Sequence, residues 1–101
     1  MTGQSPGDRP LVERLYDVGF VCDQDPDAQR VFLLGDFNNW DPAACAMVKE
    51  GAAFRATLRL HSGTYTYKFL IDGEERHDPR AEQQVWKGPS DMRSIVRVPV
   101  Q

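Results

Sequence analysis

The residue types with the most chemical potential cluster in one short run, Gly35-Asp36-Phe37-Asn38-Asn39-Trp40-Asp41-Pro42. A tryptophan that follows two asparagines and precedes Asp-Pro stands in a turn, because Asn, Asp and Pro each favour turn geometry over regular ladders. A turn carries its side chains to the edge of a domain, and an indole placed there is a flat apolar plate with one polar edge. Such a plate suits a sugar ring, whose faces are rich in C–H groups and whose rim carries hydroxyls. The competing reading of Trp40 is a cap folded back over the core; of the two, the platform is favoured. Lys68 stands on the polar side of the alternating run Tyr65–Ile71. Its ammonium has three donors for hydroxyl oxygens, although a lone lysine on a strand most often faces only water. Trp86, beside Lys87-Gly88, is either a second plate or a plug over the open end of the domain, and the two readings weigh equally.

Other chemistries find less support. Glycoside hydrolysis needs two carboxylates about 5–10 Å apart around the scissile bond. Asp36 and Asp41 flank Trp40, and Glu74-Glu75 follow a hairpin signal, but no spacing pairs them. A chain of 101 residues has little room for a deep, water-excluding cleft, so a non-catalytic role is expected. His61, His77, Cys22 and Cys45 are scattered, without the close Cys or His spacing of a metal site. No Gly-rich phosphate loop is present, and no cofactor is expected. Two cysteines are too few for a disulfide framework; Cys22 and Cys45 read as buried free thiols.

The elements that must position these side chains read as strands. Composition is that of an ordinary globular chain, 41% hydrophobic and 27% charged, with length for one core. No apolar run reaches the roughly 20 residues of a membrane span. Residues 1–10 lack the apolar centre of a signal peptide, so a cytoplasmic location is expected. The net charge of −3 argues against nucleic acid as the main partner. A flexible lead is expected over residues 1–13, with a short helical turn near Leu11–Leu15, and one folded unit over 14–101. Tyr16, Val18, Phe20 and Cys22 alternate with Asp17, Gly19 and Val21, the period of a half-buried strand. Val31–Leu34 is a short apolar run suited to a strand covered on both sides. Met47-Val48 reads as a brief strand, Phe54–Leu60 and Tyr65–Ile71 alternate clearly, and Asp72-Gly73 is a strong hairpin signal. Glu74–His77 is the return strand, Arg80–Asp91 a polar loop, and Arg93–Val100 a last strand. Short strands, close turns and little helical periodicity give an all-β, antiparallel β-sandwich of about seven strands.

Two long motifs carry a resemblance. The run Val31-Phe32-Leu33-Leu34-Gly35-Asp36-Phe37-Asn38-Asn39-Trp40-Asp41-Pro42 resembles the signature of carbohydrate-binding module family 48. That family includes the glycogen-binding domain of AMP-activated protein kinase β subunits and the early-set domain of isoamylases and glycogen-branching enzymes. The second motif is Leu60-His61-Ser62-Gly63-Thr64-Tyr65-Thr66-Tyr67-Lys68-Phe69-Leu70-Ile71-Asp72-Gly73, followed by His77-Asp78-Pro79. The likeness spans about residues 16–100 and implies an immunoglobulin-like, early-set sandwich. It further implies that Trp40 stacks on an α-glucan and that Lys68 bonds a sugar hydroxyl, with Asn39 counted in the same site. Where the family places a second stacking Trp, two residues after the hairpin Asp-Gly, this chain has Glu75. Where the family has a sugar-bonding Asn, Arg93 lies near its place. Trp86 is a candidate substitute for the missing plate, an inference from this sequence and not a family trait.

One indole face burying ~100 Å² is worth roughly 2–3 kcal/mol before losses, whereas a Kd of 1 mM needs about 4 kcal/mol. Weak binding of an α-1,4-glucan or glycogen-like polysaccharide is therefore expected, with Trp40, Lys68, Trp86, Glu75, Asn39 and Arg93 as the candidate site. The rival reading is an early-set sandwich that has lost sugar binding and serves as an interaction or regulatory module. Its partner would be a separate glycogen-metabolising enzyme or a kinase-like assembly. Glu75 and the altered loop before Arg93 favour that rival.

Overall fold

A computed structural model describes residues 14–99. Its eight strands are β1 (Tyr16–Cys22), β2 (Val31–Gly35), β3 (Val48–Glu50), β4 (Ala53–Leu60), β5 (Gly63–Ile71), β6 (Glu74–Arg76), β7 (Gln83–Trp86) and β8 (Met92–Val98). They form two antiparallel sheets. One has the order β1-β4-β3; the other runs β2-β5-β8-β7, with β6 also paired to β5. The sandwich anticipated from the alternating pattern is present, with eight strands in place of about seven. The lead over residues 1–13 and most of the helical turn at Leu11–Leu15 lie outside the described residues.

Period-two alternation decides which face of each strand is buried. β1 turns Val18, Phe20 and Cys22 inward and leaves Asp17 and Gly19 exposed. β5, the centre of the larger sheet, sends Tyr67, Phe69 and Ile71 to the core. Leu33 and Phe69 are register partners, and both are wholly buried. Phe20 meets the Tyr67 ring edge-on at 5.0 Å, a contact that ties the two sheets together. The even-numbered residues of β5, Thr66, Lys68 and Leu70, then point away from the core. That outer face of the larger sheet is where the candidate site sits.

The turns follow their residue types. Asp72 (φ 47°) and Gly73 (φ 89°) both take positive φ, as the tight Asp-Gly hairpin between β5 and β6 requires. The Asp72 carboxylate also accepts the backbone N–H groups of Gln29 (2.9 Å) and Arg30 (2.8 Å), so the hairpin clasps the entry to β2. Asp78 is buried and accepts the Tyr67 hydroxyl at 2.6 Å. Burial, reinforced by that carboxylate, pushes the phenol far above its ordinary range.

One expectation needs correction. The stretch Arg80–Asp91, read as a polar loop, contains β7, which pairs with β8 from Gln83↔Ile95 to Trp86↔Met92. Gln83-Gln84-Val85-Trp86 has no alternation to mark it, and the neighbouring strand supplies the pairing. Gln84 is tied in by its side chain, whose Oε1 accepts the Ser94 hydroxyl at 2.8 Å. Cys22 and Cys45 are both free thiols, Cys22 buried and Cys45 half-buried.

Candidate functional site

The first motif folds as a tight clasp after β2. Asp36–Asn38 form one turn of 3₁₀ helix. The Asn38 side chain accepts the Gly35 N–H (3.1 Å) and donates to the Leu33 carbonyl (2.9 Å), replacing ladder bonds that β2 loses as it ends. Asn39 and Trp40 both adopt left-handed φ of 56°. Asn visits that region readily, while a tryptophan there stores strain of order 1–3 kcal/mol. The surrounding bonds hold it in place: the Trp40 backbone N–H donates to the Gly35 carbonyl at 3.0 Å, and its indole N–H donates to Asp36 Oδ1 at 3.0 Å. Asp36 Oδ2 in turn accepts the Thr66 backbone N–H (2.7 Å) and hydroxyl (3.0 Å) on β5. Burial opposes ionisation of Asp36, but these donors outweigh it and keep the carboxyl below its usual range. The indole is thus fixed by its polar edge to the outer face of the larger sheet. It is half-buried and lies outside the core cluster.

Lys68 is on that face as its parity requires, but it is not a free surface lysine. Its side chain is only 7% exposed, and its ammonium lies 3.0 Å from Glu75 Oε1 and 2.8 Å from Asp91 Oδ1. Burial works against the charged amine, and the bonds from Asp91 and Glu75 overcome it, leaving the pKa above its ordinary value. Two of its three donors are committed within the chain. Asp91 Oδ2 also accepts from two nitrogens of Arg93, Nε at 3.2 Å and Nη2 at 2.9 Å. The Arg93 and Lys68 bonds together draw the Asp91 carboxyl down to about 2.

Arg93 reaches from β8 to Trp40, its guanidinium carbon 4.2 Å from the ring centroid, within the range of a cation–π contact. The Arg93 side chain is 26% exposed, so the guanidinium over the ring is partly enclosed. Trp40, Asp36, Lys68, Glu75, Asp91 and Arg93 form one continuous cluster.

Trp86 does not join it. Val85 pairs with Arg93 and Trp86 with Met92, so the pleat puts Trp86 on the opposite side of β7 from Arg93. At 61% exposed, it is not a plug over the sandwich either. Asn39 is exposed, and among the described residues its side chain makes no hydrogen bond. No group of three potential metal ligands occurs among the described residues. A separate cavity of about 370 Å³ opens between β1 and the β7–β8 edge, above the Tyr67–Asp78 pair, and contains neither tryptophan.

Sequence reasoning passed over Asp36 and Asp91 as structural partners. Asp36 was visible only as an acid near Trp40; its bond to Thr66, thirty positions along the chain, depends on the β2–β5 pairing. Asp91 had one local signal, a basic residue two positions on, where a strand would put both on one face.

Residues 19–93 match the family model described as the glycogen recognition site of AMP-activated protein kinase. The chain belongs to this family. Among its relatives, this glycogen-recognition domain is 36% identical over 70 residues to the AMP-activated protein kinase subunit beta-1 of Sus scrofa, covering 69% of this chain and 55% of that one. It is 41% identical over 51 residues to the human beta-2 subunit, covering 50% and 18% respectively. It is 40% identical over 52 residues to the chloroplastic phosphoglucan phosphatase LSF1 of Arabidopsis thaliana, covering 50% and 9%. The domain thus spans about half or less of the length of these relatives. A maltogenic amylase from S. marinus superposes with a TM-score of 0.71 over 86% of this chain and 14% of its own, at 23% identity. That likeness concerns the early-set sandwich fold alone. Within the domain, Glu75 occupies the position expected to hold a second stacking tryptophan, and its carboxylate is bonded to Lys68.

Proposed function

We propose that this domain is a non-catalytic module that binds an α-1,4-glucan of the glycogen or starch type on the outer face of its larger sheet. The observation that carries the reading is the anchored Trp40: its indole edge is pinned to Asp36, and the Arg93 guanidinium lies over one ring face. The opposite face is then the surface for the C–H side of a glucose ring. Lys68, with one donor uncommitted, and the exposed Glu75 carboxylate serve the hydroxyl rim, beside Asn39. Trp86, on the other side of its strand, contributes no contact to the same sugar. With one plate the affinity is weak, nearer millimolar than micromolar, and a polymer with many sites raises it by avidity.

Native electrophoresis through gels with and without glycogen tests this reading. Wild type is expected to be retarded, Trp40→Ala to run unretarded, and Trp86→Ala to behave as wild type. Loss of retardation in Trp86→Ala alone would move the site to β7. An unretarded wild type would favour the second reading, a module that has given up sugar for a protein partner. The internal partners of Lys68 support that alternative, because they already occupy most of its hydrogen-bonding capacity. The partner would then be a glycogen-metabolising enzyme or a kinase-like assembly.

A further inference from the structure

The outer face of the larger sheet does not end at Lys68. Continuing along β5, Leu70 stands in register with Phe32 on β2 and with Glu75 on β6, so these three residues form one row across the sheet. Phe32 and Leu70 are half-buried and floor a cleft of about 540 Å³ whose sides come from Asp27, Gln29, Arg30 and Asp72. The Asp72 carboxylate is committed to the backbone of Gln29 and Arg30 and acts as a fixed wall. The side chains of Asp27, Gln29 and Arg30 are different. Among the described residues they make no hydrogen bond or ion pair, while all three are exposed. An apolar floor between uncommitted acceptors and donors matches the two-sided chemistry of a sugar ring, C–H on its face and hydroxyls around its edge.

Position makes the match specific to a chain of sugars. Thr66, which is bonded to the same Asp36 that holds Trp40, and Leu70 lie four residues apart on one face of β5. At about 3.4 Å per residue that is about 14 Å, more than one ring spans and within reach of an oligosaccharide. Glu75 sits between the two ends, bonded to Lys68 and beside Leu70.

Resting on the glucan-binding reading above, we propose that the Phe32–Leu70 cleft is a second subsite of the same binding face. It takes a glucose unit further along the α-glucan chain whose first ring stacks on Trp40. The device that a second tryptophan would supply at position 75 is supplied one strand over, by an apolar floor with a polar rim. Specificity follows from it: the module prefers linear stretches of several glucose units to short oligosaccharides or branch tips.

Amide-resolved NMR titration of the 101-residue chain with maltotriose and with maltoheptaose tests this. Both sugars are expected to shift the amides around Trp40 and Thr66. Maltoheptaose alone is expected to shift those of Arg30, Phe32, Leu70 and Gly73 as well, and to bind about tenfold more tightly. The exposed double variant Arg30→Ala/Gln29→Ala should bind maltotriose as wild type does and lose most of the gain with maltoheptaose. Equal affinities for the two sugars, with the cleft amides unmoved, would overturn the subsite and leave the Trp40 site standing. A gain with length that persists in the double variant would also overturn it. Absence of shifts with either sugar would overturn both.

Discussion

Arg93 and Trp40 are far apart along the chain, one on the last strand and one in the turn after the second, yet the guanidinium carbon lies 4.2 Å from the indole centroid. The same arginine grips Asp91, and Asp91 grips Lys68. Lys68 and Trp40 are therefore coupled through one carboxylate and one guanidinium. The indole, the guanidinium and the ammonium are thereby held in one network of contacts.

Arg93→Ala should loosen the platform. A partly exposed cation–π contact contributes about 1 kcal/mol, so glycogen affinity is expected to fall about fivefold, with indole fluorescence shifted towards that of a wetter ring. Gel retardation read beside the emission spectrum checks this. Tighter binding by the variant would mean that Arg93 covers the sugar-facing side of the ring and competes with the ligand.

Glu75→Trp should convert the hairpin into a second plate. The new ring adds an apolar face worth roughly 2 kcal/mol before losses and releases one donor of Lys68. Glycogen binding is expected to tighten by about tenfold or more, and titration calorimetry with maltoheptaose would measure it. A small loss of thermal stability should accompany the gain, because Lys68 then has only Asp91 as an internal acceptor.

The Asp91 carboxyl supplies a pH dependence. Its pKa is lowered from 3.8 to about 2 by Arg93 first and Lys68 second. A carboxylate with a depressed folded-state pKa adds stability that is fully present above its unfolded value and disappears as pH falls through the folded one. Wild-type stability should therefore decline between about pH 4 and pH 2, with Asp36, shifted in the same direction, adding to the slope. Asp91→Asn should show a shallower decline in urea unfolding across that window and a lower plateau above it.

Gly35→Ala probes the clasp. A Cβ there would lie 2.5 Å from Phe37 Cζ and 2.8 Å from the Thr66 carbonyl oxygen. The second contact is backbone of the neighbouring strand and cannot swing aside. A destabilisation of about 1–3 kcal/mol is expected, seen as a fall of several degrees in Tm. Since Trp40 bonds to the Gly35 carbonyl, glycogen retardation should weaken too, measured well below the new Tm.

The sandwich was legible in this sequence because its signals are local. Alternation in Tyr16–Cys22, Phe54–Leu60 and Tyr65–Ile71, with the Asp72-Gly73 turn, needs only neighbours a few positions apart to be read. β7 escaped because Gln83–Trp86 does not alternate, and an edge strand borrows its regularity from the strand beside it. The same limit explains Trp86. Its type suited a plate and a plug equally, and which side of the sheet it faces depends on a register with β8 that no local pattern encodes.

The sequence by itself determined the fold class, the turn that carries Trp40 and the parity that puts Lys68 on the outer face. These depend on residue type and on a period of two along one strand. Only the tertiary structure decided that Lys68 is enclosed by Glu75 and Asp91, that Arg93 lies over Trp40, and that Phe32 meets Leu70 beside Glu75. Each of those contacts joins different strands, and the distance between two side chains on different strands is set by pairing and register across the sheet, not by their separation along the chain.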